Sequence, residues 1–219
     1  MIEAVVFDVG ETLINETREY GTWADWLGVP RHTFSAVFGA VIASGRDYRD
    51  VFQVFRPGFD LDAERLRRAD AGQPETFGED DLYRDVRPCM SALHDMGIWV
   101  GVAGNQTKRA GAMLRSLDLP ADMIVTSDDW GAAKPDASFF RALINAVPCE
   151  AGRIVYVGDR LDNDLKPAKV AGMRTAFIRR GPWGYIWEHH ADMPGAADWR
   201  MESLAELPIL VASVTQLTR

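Results

Sequence analysis

Four short apolar runs, none of them alternating with polar residues, constrain the fold of this chain most: Ile2 to Phe7, Ile98 to Ala103, Met123 to Thr126 and Ile154 to Val157, with a fifth at Thr175 to Ile178 after Gly172. A strand with one wet face alternates, whereas a strand covered on both faces by helices does not, because both rows of its side chains are buried. Helical patterns separate the runs. Pro88 opens one as a first-turn proline, with Met90, Leu93 and Met96 at helical spacing and Gly97 closing it. Thr107 is placed to cap the next, whose buried stripe reads Ala110, Met113, Leu114 and Leu117. Asp136 is placed to cap a third, with Phe139, Phe140, Leu143, Ile144 and Val147 on one side and Pro148 ending it. A fourth runs from near Asn163 to Gly172, with Pro167 early, where a missing N–H matters little. Strands alternating with helices predict an α/β protein with a doubly wound parallel sheet.

The alternation is interrupted once. Residues 15–86 carry no strand–helix repeat but four helical pieces, Thr22 to Leu27, Thr33 to Ala43, Tyr48 to Phe55 and Ala63 to Ala71, punctuated by Pro30, Gly45, Pro57-Gly58 and Gly72 to Pro74. The reading is an all-helical insertion at 15–86 in an α/β core made of 1–14 and 87–219. Trp23, Trp26, Phe34, Phe38, Tyr48, Phe52 and Phe55 are its expected packing residues.

Composition narrows the function. Hydrophobic residues make up 47% of the 219, enough for a core, and the formal net charge is −8. Binding nucleic acid or an anionic membrane needs a cationic face, so neither is expected as the main task. Cys89 and Cys149 form no CxxC pair and read as free thiols of a reducing compartment. The start, MIEAVVFDVG, reads as a strand and not as a signal peptide, and no apolar run is long enough to span a membrane. A cytoplasmic protein is expected. No feature fixes its oligomeric state.

Ligands of such sheets bind beyond the C-terminal strand ends. After the first run comes Asp8-Val9-Gly10-Glu11-Thr12, a carboxylate leaving an apolar strand that needs a partner if buried. After the second comes Gly104-Asn105, a tight turn into a helix whose N–H groups suit an anion. The third leads to Lys134, one of only four lysines in a chain that otherwise uses Arg. The fourth ends in Asp159-Arg160-Leu161-Asp162-Asn163-Asp164, a set of hard oxygen ligands suited to magnesium. Each alone is explained by a turn or a helix cap. Together at one sheet edge they are the parts of phosphoryl transfer by an aspartate nucleophile.

These motifs resemble the haloacid dehalogenase (HAD) superfamily over essentially the whole chain. Asp8 to Thr12 looks like the strand-borne DxDGT motif, Lys134-Pro135-Asp136 like the lysine before PD, and Gly158-Asp159 through Asp164 like GDxxxxD. The insertion sits where one subgroup carries an all-helical cap. The resemblance implies Asp8 as nucleophile, with Lys134 holding both it and a phosphate. It implies Mg2+ held by Asp8, the Gly10 carbonyl and Asp159, with Asp164 in or near the outer shell. Thr12 would brace the Asp8 loop, and Gly104 and Asn105 would meet the phosphate. A small phosphorylated molecule is the implied substrate.

Two residues depart from the pattern. Phosphatases of the family carry an acid where this chain has Gly10, and its loss typically lowers rates about a hundred- to ten-thousand-fold. Glu11 stands one position off. Gly104 stands where the family has Ser or Thr. A slow or atypical phosphatase is the leading expectation. A dehalogenase ranks lower, because the family's dehalogenases have an aromatic residue at position 10. A non-catalytic binding protein is the third reading. Gly181 to Trp187 reads as a turn-rich loop at the same edge. Its aromatic rings either pack on the core or, at Trp183 or Tyr185, wall off the pocket above Asp8 against the insertion.

Overall fold

The structure, a computed structural model, describes residues 1–216. The chain divides into two compact units, one made of Met1–Asn15 with Leu82 onward, the other of Glu16–Asp81. Residues 82 to 86 go with the first unit: Leu82 bridges Ile14, and the Tyr83 N–H donates to the Leu13 carbonyl at 3.0 Å.

The first unit is built on six parallel strands: β1 (Ala4–Phe7), β2 (Trp99–Gly104), β3 (Met123–Thr126), β4 (Ile154–Gly158), β5 (Arg174–Ile178) and β6 (Trp199–Met201), in the order β3-β2-β1-β4-β5-β6. β1 lies in the centre, pairing Phe7 with Val102 on one side and with Val157 on the other. Its four residues, like the five of β4, are all buried, which is why their sequences do not alternate. β6 escapes sequence reading: it has three residues, of which only Met201 is buried.

Between the strands run α5 (Val86–Asp95), α6 (Lys108–Ser116), α7 (Ser127–Trp130), α8 (Ala137–Ala146), α9 (Lys166–Val170), α10 (Gly181–Trp187), α11 (Met193–Ala196) and α12 (Leu207–Gln216). Thr107 and Asp136 cap α6 and α8 as their positions predict. Phe139, Phe140 and Leu143 of α8, with Val147 just after it, pack with Val6, Ile154 and Tyr156 in one core cluster. Met96 is 41% exposed, because Gly97 takes φ +75° and ends the helix before that turn can face the core. The helix expected from Asn163 is instead a π turn, Leu161–Leu165, followed by α9.

Gly181 to Trp187 is helical, not a turn-rich loop. Gly181 adopts φ +57° and Pro182 enters the first turn, where proline is favoured. Gly184 fits because a Cβ there would come within 3.1 Å of the Arg179 backbone.

The second unit holds α1 (Thr17–Leu27), α2 (Arg31–Ala43), α3 (Asp50–Phe55) and α4 (Leu61–Asp70). Trp23, Phe34, Phe38 and Phe52 are fully buried, and Phe52 stacks on Phe59 at 4.8 Å between ring centres. Trp26, Tyr48 and Phe55 are only half-buried, and the Trp26 indole N–H donates to Glu64 at 2.8 Å. Among the described residues no helix is long and apolar enough to cross a membrane.

Candidate active site

Asp8 leaves β1 directly, its backbone N–H donating to the Val157 carbonyl at 2.9 Å. Asp159 leaves the neighbouring β4, and Asp164 sits in the π turn that follows. One carboxylate oxygen from each of these three acids lies within 4.8 Å of the others. The Lys134 ammonium, wholly buried, donates to Asp8 Oδ1 and Asp164 Oδ1, both at 2.5 Å. Burial works against the ammonium's charge, but Asp164 and then Asp8 outweigh it and hold the lysine well above its ordinary value. Asp164 is pushed up to about 6, mainly by burial, with Lys134 opposing. Asp159 goes well up, driven first by burial and then by the charges of Asp164, Asp8 and Glu11. Its Oδ2 is buried without a hydrogen-bond partner. Three carboxylates against one ammonium leave a deficit of positive charge, and this orphaned hard oxygen fits a divalent cation.

Two glycines make the packing possible. A Cβ on Gly158 would lie 2.6 Å from Asp164 Cγ, so only glycine lets that carboxyl fold back over the end of β4, where Asp164 Oδ2 accepts from the Arg160 N–H at 3.0 Å. A Cβ on Gly104 would lie 2.8 Å from Asp8 Oδ1 and 2.9 Å from Val9 Cγ2. A serine or threonine there would require the Asp8 carboxylate to move. Tyr156, below the lysine, donates from its hydroxyl to the Ala103 carbonyl at 2.7 Å, with Lys134 Nζ 5.4 Å from its ring centre.

A family model for haloacid dehalogenase-like hydrolases matches residues 2–172. The chain belongs to this HAD-like hydrolase family. It is 34% identical over 135 residues to glyceraldehyde 3-phosphate phosphatase of Methanocaldococcus jannaschii, covering 60% of this chain and 57% of that one. The chain spans about half the length of the curated relatives it matches first. The magnesium-bound HAD-family hydrolase YfnB of Bacillus subtilis superposes with TM-score 0.71 at 17% identity, covering 96% of this chain and 98% of that one. A 2-haloacid dehalogenase of Pseudomonas syringae pv. Tomato DC3000 superposes with TM-score 0.57 at 23% identity over 97% and 99% of the two chains. At these identities the structural likenesses show the fold alone.

Within this HAD-like site the other sequence-named residues have distinct places. Asn105 clasps the Lys134 backbone with both ends of its amide, accepting from the Lys134 N–H at 2.7 Å and donating to its carbonyl at 2.8 Å. Its side chain therefore positions the lysine loop. Thr12 is fully buried, with its hydroxyl unpartnered and its carbonyl accepting from Arg180 Nη1 at 3.0 Å. Gly10 is half-buried at the turn. Asp162 stands apart from the cluster, its exposed carboxylate paired with Arg160 at 3.0 Å.

Sequence reasoning set Glu11 apart as one position off the missing acid and missed Tyr83 and Arg180, which hold it and its loop. Glu11 adopts φ +51°, uncommon for a residue with a side chain, and its buried carboxylate accepts from the Tyr83 hydroxyl at 2.5 Å. Burial and the Glu11 charge push the Tyr83 phenol up. The Arg180 guanidinium covers the Tyr83 ring at 4.3 Å and pairs with Asp85. The signal available was the place of Arg180, two residues past the end of β5.

Proposed function

We propose that this chain hydrolyses a small organic phosphate, with Asp8 as nucleophile and a divalent cation, Mg2+, held by Asp8, Asp159 and the Gly10 carbonyl, with Asp164 beside it. The observation that carries the reading is the buried contact of Lys134 with Asp8 and Asp164 at 2.5 Å, within a cluster of three carboxylates. The phosphatase names of the relatives support it. Bound magnesium supplies the positive charge that lets a phosphate dianion approach three carboxylates.

The chain's own groups do the rest. Lys134 stays protonated and holds Asp8 Oδ1 in place, leaving the other carboxylate oxygen to attack phosphorus. Phosphorus–oxygen bond formation at Asp8 breaks the ester P–O bond and expels an alkoxide or aryloxide that takes its proton from water. A second water then cleaves the aspartyl phosphate, returning Asp8 and releasing inorganic phosphate. The backbone N–H groups at Gly104 and Asn105 would meet the phosphate oxygens. No carboxyl stands at position 10 to protonate the departing oxygen, and Glu11 is committed to Tyr83. The enzyme is therefore slow on esters with poor leaving groups. By the family resemblance the helical unit is a cap. The free thiols Cys89 and Cys149 fit action in the reducing cytoplasm.

A panel of phosphorylated metabolites, assayed with Mg2+ and with EDTA, tests the reading alongside Asp8→Asn. The expected result is magnesium-dependent phosphate release that falls at least about a thousandfold in the variant. Release that survives Asp8→Asn, or binding of a panel member without turnover in the wild type, overturns it in favour of a binding protein.

A further inference from the structure

The residues after β5 reach toward both carboxylate-bearing loops. On one side, Arg180 Nη1 donates to the Thr12 carbonyl at 3.0 Å, while its other terminal nitrogen pairs with Asp85. Asp85 is itself fixed by the Ser203 hydroxyl at 2.6 Å and the Leu204 N–H at 2.9 Å. The same guanidinium lies over Tyr83, whose hydroxyl holds Glu11. Gly181 packs so tightly on the Glu11 side chain that a Cβ there would overlap Glu11 Cγ. Residues 11 and 12 are thus gripped by Arg180, Gly181 and Tyr83.

On the other side, one helical turn later, the buried Trp183 ring carries the Arg160 guanidinium at 4.5 Å, and Trp187 lies 5.8 Å from the same group. Arg160 follows Asp159 directly, and its N–H holds Asp164. Arg160 is further fixed by two bonds to Asp162, at 3.2 and 3.0 Å. Tyr185, by contrast, is 61% exposed under Arg179 and takes no part.

We propose that Arg180 to Trp183 is a clamp that sets the separation of the two acidic loops. Arg180 holds the Asp8 loop through the Thr12 carbonyl, and Trp183 holds the Asp159 loop through Arg160. Arg180 and Trp183 are positioning residues, acting through the Thr12 carbonyl and through Arg160. The need for a clamp follows from the local sequence. Gly10 gives the Asp8 turn a freely rotating residue, and Glu11 must be kept at a positive φ that an unbound glutamate avoids. A cation shared by Asp8 and Asp159 needs both loops at fixed spacing, and supports around metal ligands typically change affinity about ten- to a hundredfold. This part rests on the metal reading above.

The test uses the whole protein and two readouts, amide exchange in segments 9–13 and 160–164 and the dissociation constant for Mn2+ titrated without substrate. Arg180→Met should speed exchange about tenfold or more in 9–13, and Trp183→Leu should do so in 160–164. Either should weaken Mn2+ about tenfold or more, while Trp183→Phe and Arg180→Lys recover most of the loss. Unchanged exchange in both loops overturns the clamp, and so does an even rise across the whole α/β unit, which marks general destabilisation. If the wild type binds no Mn2+, the metal reading falls while the exchange pattern still decides the clamp. If Arg180→Met does not fold, Trp183→Leu against Trp183→Phe decides it alone.

Discussion

In the α/β unit three carboxylates and one ammonium are gathered at the ends of β1 and β4, and burial drives Asp159 and Asp164 toward their protonated forms. In the helical unit Glu64 is also buried, though less deeply, and it is held low, chiefly by the Trp26 indole N–H and with help from Arg67. Arg65 reaches Glu75 and Asp62, both at 3.0 Å. Arg68 lies 4.1 Å over Trp23 and donates to Gln73 and Thr22. The helical unit mostly interleaves opposite charges, although Arg68 meets neutral groups and keeps its Nη1 buried without a hydrogen-bond partner. The α/β unit concentrates like charges and leaves Asp159 Oδ2 unpartnered. Interleaved charge is explained by packing alone. Concentrated charge lowers stability unless something else binds there, and that makes it the signature of a site.

Removing one cation from each unit tests that contrast most severely. Lys134→Met leaves Asp8 and Asp164 buried with no counter-charge, a loss of about 3–5 kcal/mol, and turnover should fall at least about a thousandfold. Added Mg2+ should restore part of the stability but none of the turnover. Arg68→Met should lower stability by about 1–2 kcal/mol and leave kcat within a few-fold. Melts and single-turnover assays on both variants decide it. An equal loss of turnover in Arg68→Met would break the distinction between the two units.

The next effect sharpens the chemistry inside the α/β unit. With no acid at position 10, acyl or aryl phosphates should outrun alkyl phosphates by about a hundredfold or more. Gly10→Asp should raise alkyl-ester turnover about tenfold or more while changing aryl-ester turnover little. Equal rates across leaving groups, with no gain in the variant, would contradict the assignment.

A smaller loss is expected from Gly158→Ala. The new methyl would sit 2.6 Å from Asp164 Cγ and push that carboxyl off Lys134, while the Lys134–Asp8 contact stays. Turnover should drop about ten- to a hundredfold, and a crystal structure of the variant should show Asp164 displaced. An unmoved Asp164 would mean that the β4 end yields more easily than its packing implies.

How much of this was legible beforehand follows from where the signals sit. Asp8, Lys134, Asp159 and Asp164 could be named because each follows a buried strand or precedes a capped helix, and such strands are visible as unbroken apolar runs. Five of the parallel strands were visible as apolar runs, β3 among them although only Thr126 of its four residues is buried, and β6 was not, being three residues with an arginine in the middle. The grip of Arg180 on Thr12 joins residues 168 positions apart, and no local periodicity encodes it. The Gly181–Trp187 helix was hidden because Gly, Pro and Gly read as a turn. The helix is favoured by the close approach of Gly184 to the Arg179 backbone and the packing of Trp183 on Arg160, with Pro182 in its first turn. Buried Arg68 was invisible too, since an arginine in an amphipathic pattern reads as solvent-facing.

Glu19, in the helical unit, is the exception that makes the contrast quantitative. Burial pushes its carboxyl up to about 7, the charge of Glu75 adds to this, and Arg65 and Arg68 oppose it. It is a like-charge pair inside the unit that otherwise interleaves its charges. The sign of the consequence is fixed by linkage. Below its ordinary value of 4.5 the carboxyl is protonated folded or unfolded, and it contributes no pH dependence. As pH rises from 4.5 to about 7, the unfolded chain releases the proton and the folded chain keeps it, so stability falls through that window. Above about 7 both forms are ionised and the loss is complete. Glu19 is half-buried, so solvent screening trims the effect to about 1 kcal/mol. Glu19→Gln should therefore be more stable than the wild type at pH 8, match it near pH 4.5, and show a flatter profile between. Denaturant melts at pH 4.5, 6 and 8 measure this directly. Parallel profiles for the two proteins would show that Arg65 and Arg68 fully neutralise Glu19.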